Sequence, residues 1–258
     1  MLFLVLARKT YERNLQYRGA HMVHNIASAI FGFIYISIWM GIGESRTLGA
    51  YGLSGMVSYV AFNQVSLWVA AFLNNGLGLQ QSVRTGQIAI ELVRPVHLFY
   101  QLMCKEWGQI AYQFVYKFIP IYTLYLFVLP LHVPSSVIIF LWTAVALALA
   151  AYISICINFL IGAAALWTTE SNWLYWVNYA FSMLLSGFLI PIEWLPGWLR
   201  FLSHASFYPF LHYVPTRIYL GMNNAWSLIG SIGWGIGLTV ICLFLASRMR
   251  RKVEVQGG

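Results

Sequence analysis

The chain contains no aspartate, and its seven glutamates and 9% charged residues stand against 60% hydrophobic ones over 258 residues. Soluble domains carry roughly 25% charged residues. A chain this poor in charge, with mean hydropathy +0.71, cannot clothe a water-facing surface and reads as an integral membrane protein. The shortage of carboxylates also weakens the enzyme classes, because no serine–histidine–acid set can be argued with no aspartate and only seven glutamates, most at cytoplasmic ends. No G-x-x-x-x-G-K-[ST] phosphate loop occurs, so the chain binds no ATP by that route. His21 and His24 lack the third ligand and acidic residue of a hydrolytic zinc centre. They read as interfacial histidines, as do His132, His204 and His212, and no metal site is expected. Cys104, Cys156 and Cys242 lie far apart, without metal or redox spacing.

The charge that is present is placed. Arg8, Lys9, Arg13 and Arg18 precede the first long apolar run, and Arg248, Arg250, Arg251 and Lys252 follow the last. By the positive-inside rule both ends are cytoplasmic, which requires an even number of spans. These clusters hug membrane segments, so they speak for topology and against nucleic acid as a partner. In "MLFLVLARKTYERNLQYR" the charges follow the apolar run, against a cleaved leader. With roughly 20 apolar residues per crossing, six spans emerge: about Asn25–Ile42, Gly55–Asn74, Ile110–Leu129 (kinked at Pro120), Ser136–Leu166, Asn172–Ile190 and Ala225–Ser247. The expectation is an all-α membrane protein forming one domain over 1–258. It comprises an interfacial helix at 1–24, a cytoplasmic loop at 76–109 and a broken outer segment at 187–224. Lys117 falls inside the third span with no acidic partner in view, and is read as snorkelling to the surface. In the last span Gly233 and Gly237 have the G-x-x-x-G spacing that permits close helix packing.

Two polar faces lie within the spans. Asn63, Ser66 and Asn74 share one face of the second, and Asn178, Ser182 and Ser186 one face of the fifth. Polar faces in lipid turn toward protein or a water-filled path, and both helix–helix hydrogen bonding and a path stay open. Aromatic residues nearby, such as Trp68 and Tyr179, favour a hydrophobic or amphiphilic cargo. On the cytoplasmic side Pro95 breaks the chain at Arg94, so Thr85 to Val93 should make a short helix. Its Ile88 and Leu92 share a face, with Gln87, Glu91 and Arg94 on another. Outside, "IPIEWLPGWLR" cannot continue a span. Pro191 ends the fifth and Pro196 suits the first turn of a short helix. Trp194 and Trp198 suit the interface, with Glu193 and Arg200 reaching water; Pro209 and Pro215 break the return arm.

"GQIAIELVRPV" and "SGFLIPIEWLPGWLRFLSHASFYPFLHYVPTRIYLG" resemble the coupling segment and the fifth-to-sixth-span signature of ABC-2 type transporter permeases without a fused ATPase domain. The resemblance implies a permease subunit of an ATP-driven exporter in the bacterial cytoplasmic membrane. It would pair with a second permease, as homodimer or heterodimer, and with separate ATPase subunits that carry the ATP and Mg. It further implies that Arg84 to Pro95 is the coupling helix, with Gln87, Glu91 and Arg94 as polar contacts and Ile88 and Leu92 as the apolar seat. Packing of Ile88 and Leu92 on the chain's own third helix is the competing reading. Arg8, Lys9, Glu12 and Arg13 would lie near the ATPase, the second and fifth spans would line the path, and 187–224 would be a re-entrant outer gate. A membrane-embedded lipid-processing enzyme and an ion-coupled carrier are the alternatives.

Overall fold

The computed structural model describes residues 2–16, 18–70, 75–168 and 170–256, and among them every regular element is a helix. Among the described residues three helices are long and apolar enough to cross a membrane: His21–Ser45, Val137–Thr168 and Ala225–Lys252.

Helix α1 (Leu2–Leu15) is separate from α2 (Arg18–Ser45). Its less polar edge is seated on α6 (Leu98–Gln113), so this helix rests on the protein itself. Gly108 makes that seat possible, since a Cβ there would lie 2.1 Å from the Ala7 carbonyl oxygen. Tyr11 meets Tyr112 edge-on at 5.9 Å, and Asn14 donates to Gln109 Oε1 at 2.5 Å.

Helix α3 (Gly52–Ala70) is the hub, buried at every residue from Met56 to Ala70. A helix enclosed on all sides must satisfy its polar side chains from neighbouring elements, and those bonds build the interior described below. α6 runs through a widened π turn at Phe114–Phe118 into α7 (Ile119–Val128). The turn lies directly before Pro120, the kink expected from the sequence. α8 (Val137–Thr168) packs on α3 and on α12 (Leu228–Gln256).

Helix α9 (Asn172–Leu185) is shorter than expected. Gly187, at φ +73°, ends it five residues before Ile190, in the left-handed position that closes helices. A Cβ on Gly187 would also lie 2.8 Å from that of Tyr213. At 1.5 Å per residue α9 rises about 21 Å, short of a hydrocarbon core of about 30 Å. Beyond it come a 3₁₀ turn at Ile192–Trp194, α10 (Gly197–His204), a second at Tyr208–Phe210 and α11 (Tyr213–Tyr219). Pro191 and Pro196 stand at N-caps, Pro209 opens the second 3₁₀ turn and Pro215 lies in the first turn of α11, where a missing N–H leaves no helix bond unmade. The Gly233–Gly237 face of α12 packs on nothing within 4 Å, contrary to the close contact its spacing suggested.

Candidate functional site

The segment 79–97 forms an elbow of α4 (Leu79–Arg84) and α5 (Gln87–Val93). Gly86, at φ +73°, separates them, so α5 begins at Gln87 and not at Thr85. Arg94 is extended before Pro95, as the sequence required. Within α5 the residues at i, i+3 and i+4 from Ile88 share one face. Ile88, Glu91 and Leu92 are buried against the chain itself, which removes Glu91 as an outward polar contact and Ile88 and Leu92 as an apolar seat for a partner. Gln87 and Arg94 are exposed, together with Ile90 (65%) and Val93 (81%), two residues that sequence reasoning missed. The spacing was the available signal, since Glu91 stands at i+3 from Ile88 and next to Leu92 and so shares their face.

Arg94, Pro95 and His97 line a cleft of about 410 Å³ with Arg250 and Arg251 from α12. Burial, and then Arg250, hold the His97 imidazole below its ordinary value. Arg84 stands 3.8 Å from Glu170 with both side chains half exposed, a pair worth about 0–1 kcal/mol. Lys252 donates to the Leu166 carbonyl at 2.9 Å. On α1, Arg8, Lys9, Glu12 and Arg13 are exposed on the edge away from α6, with Arg8 and Glu12 paired at 2.7 Å.

In the interior, Asn63 and Ser66 are fully buried and form a polar knot. Asn63 Nδ2 donates to the carbonyls of Gly187 (3.2 Å) and Phe188 (3.1 Å), and its Oδ1 accepts from Thr216. Ser66 donates to the Asn63 carbonyl at 2.8 Å and lies 3.0 Å from His212 Nδ1. Tyr59 donates to the Gly187 carbonyl. Of the two readings of this face, hydrogen bonding between elements is the one these contacts realise. His212 is correspondingly a core residue at 0% exposure and not an interfacial one. Ser182 and Ser186 are buried beside the same loop, where Tyr213 N–H donates to the Ser186 carbonyl at 3.0 Å. Asn178 accepts from Tyr208 at 3.1 Å. Asn74 lies outside the described residues.

At the far end of α3, Glu193 does not simply reach water. It is salt-bridged to Arg217 and accepts from Tyr51 at 3.0 Å. Arg217 also donates to Tyr213 at 3.1 Å and to Asn223 at 2.9 Å. Arg200 folds back onto the carbonyls of Glu193 and Leu195. Trp194 meets Trp39 at 5.6 Å, while Trp198 and Phe201 stay exposed at 66% and 72%. The prolines thus shape a segment tied down by charge at one edge and apolar at the other.

Lys117 does not snorkel. It is 5% exposed, and its Nζ sits 3.7 Å from the Trp68 ring centroid. Gln113, Lys117, Ile121 and Tyr125 follow at intervals of four and are all buried, so the lysine lies on the inner face of its helix. It lines a cavity of about 570 Å³ bounded by α2, α3, the α6–α7 turn and α9.

A family model described as "ABC-2 family transporter protein" matches residues 23–256. No curated protein matches the chain.

Proposed function

Since this chain belongs to the ABC-2 transporter family, we propose that it is the permease subunit of an ATP-driven exporter in a bacterial cytoplasmic membrane. Members of the family are membrane transport subunits that typically work with ATPase subunits. Here two copies, or this chain and a related permease, would move a hydrophobic or amphiphilic substrate while separate subunits bind ATP and Mg. Six crossings are proposed: α2, α3, α6 with α7, α8, α9 extended by the 187–224 segment, and α12. Their alternation is supported by contacts that collect residues 84, 94–97, 166–170 and 250–252 at one end. Residues 51, 193 and 217 meet at the other. The first end is the basic one and is assigned to the cytoplasm. The opposite end carries the segment 187–224, proposed as a re-entrant outer gate.

The observation that carries the coupling reading is the face of α5. Ile90 and Val93 are exposed beside Arg94 at the basic end, on an elbow whose inner face is fixed by Ile88, Glu91 and Leu92. Apolar side chains held out next to a cation suit a protein partner better than water. The ATPase would push on this face and transmit force through the buried one. The test is co-purification with a co-expressed ATP-binding-cassette subunit. Ile90→Asp with Val93→Asp should insert normally yet reduce the recovered ATPase at least tenfold and abolish ATP-dependent export. Undiminished ATPase recovery and export in that variant would remove the assignment.

A further inference from the structure

Among the described residues no carboxylate is paired with Lys117, an intramembrane cation in the proposed topology. The described ion pairs Arg8–Glu12, Arg84–Glu170 and Arg217–Glu193 do not include it. The Trp68 face at 3.7 Å offsets part of the charge. It accepts no conventional hydrogen bond, however, and an ammonium has three donors to place. A buried charge left in this state is costly unless something pairs with it.

The surroundings are arranged for such a partner. Ser28 Oγ accepts from Trp68 Nε1 at 3.0 Å, which leaves the Ser28 hydroxyl proton to donate into the same cavity. Ser28 and Gln64 are 8% and 5% exposed, so the polar wall is deep. Phe31, on the rim, is 60% exposed, and Leu67 and Met183 continue the apolar lining. His24, Gln109 and Gln113 also line the cavity, so its polar wall runs out from Lys117 along one side, with Phe31, Leu67 and Met183 giving the mouth an apolar side.

We propose that this cavity binds a single-chain amphiphile with an acidic head. Its phosphate or carboxylate pairs with Lys117 and the Ser28 hydroxyl, and its alkyl chain leaves past Met183 and Phe31. A free inorganic anion would gain nothing from the apolar mouth, and a neutral amphiphile would leave the cation unpaired. The inference names the ligand class for the proposed permease and rests on that reading. Binding to the purified chain needs no ATPase, so the two fail separately.

The test is equilibrium dialysis of radiolabelled dodecyl phosphate against the full-length protein in phosphatidylcholine nanodiscs, corrected with empty discs. Wild-type protein should bind saturably at one site per chain. Lys117→Gln should bind at least tenfold more weakly and Lys117→Arg within about threefold of wild type, since a guanidinium also pairs with phosphate. Met183→Trp keeps the cation but fills the channel for the tail, and should also lose at least tenfold. That variant keeps the test decisive if Lys117→Gln folds poorly. Inorganic phosphate should not compete. Equal binding by wild type and both weakened variants, absence of saturable binding, or competition by inorganic phosphate at the same affinity would each overturn the proposal.

Discussion

The side-chain amide of Asn25 donates to the carbonyl of Tyr116 at 2.7 Å, and Tyr116 stands four residues before Pro120. In an uninterrupted α-helix residue 120 would donate to that carbonyl, but proline has no N–H to give. α2 therefore supplies from outside the bond that the helix lost, and it does so at the π turn that carries Lys117.

Asn25→Ala should destabilise the protein by about 1 kcal/mol, the usual worth of one intramolecular hydrogen bond. In a Pro120→Ala background the backbone amide takes over the carbonyl, and the same change should cost close to nothing. Thermal unfolding of the four proteins of the cycle measures the coupling. Equal losses in both backgrounds would dissolve the link between the proline and Asn25.

Asn63→Leu should be far more damaging. It strips the Asn63 partner from the Phe188 carbonyl and the Thr216 hydroxyl in the core, while the Gly187 carbonyl loses one donor and keeps Tyr59. Interhelical bonds in membranes average about 0.6 kcal/mol, whereas a buried group left unpaired costs about 1–3 kcal/mol. A loss of about 2–3 kcal/mol is expected in detergent unfolding, and a loss below about 1 kcal/mol would mean water replaces the amide.

The cluster of Tyr51, Glu193 and Arg217 gives a pH signature. Burial first, and then the Glu193 carboxylate, raise the Tyr51 phenol above its ordinary value. The unfolded chain then loses that proton before the folded one does, starting near pH 10. The stability linked to Tyr51 is full below about pH 10 and is lost as pH rises beyond it. Wild-type protein should lose stability more steeply than Tyr51→Phe between about pH 10 and 11, and parallel unfolding curves would remove Tyr51 from the cluster's energetics.

Much of the helical layout was legible because its causes are local. Pro95 forces Arg94 to be extended, and Pro120 marks a kink wherever its helix lies. Helical spacing and glycine position were legible in principle and decided more than expected. Ile88, Glu91 and Leu92 stand at i, i+3 and i+4 and so share one face of α5, which packing turns inward and which leaves Ile90 and Val93 outward. Gly187 shortens α9 and places its carbonyl where Tyr59 and Asn63 can reach it.

The sequence alone determined that this chain is helical and membrane-bound and where its charge must lie, because composition, run length and proline position act residue by residue. Tertiary structure decided which polar groups are partners. Asn63 and Thr216 lie 153 residues apart, as Glu193 and Tyr51 lie 142 apart. No periodicity within one helix encodes such a meeting. Tertiary structure also decided that Lys117 turns inward over Trp68, because only packing against α3 fixes which side of the π turn is enclosed.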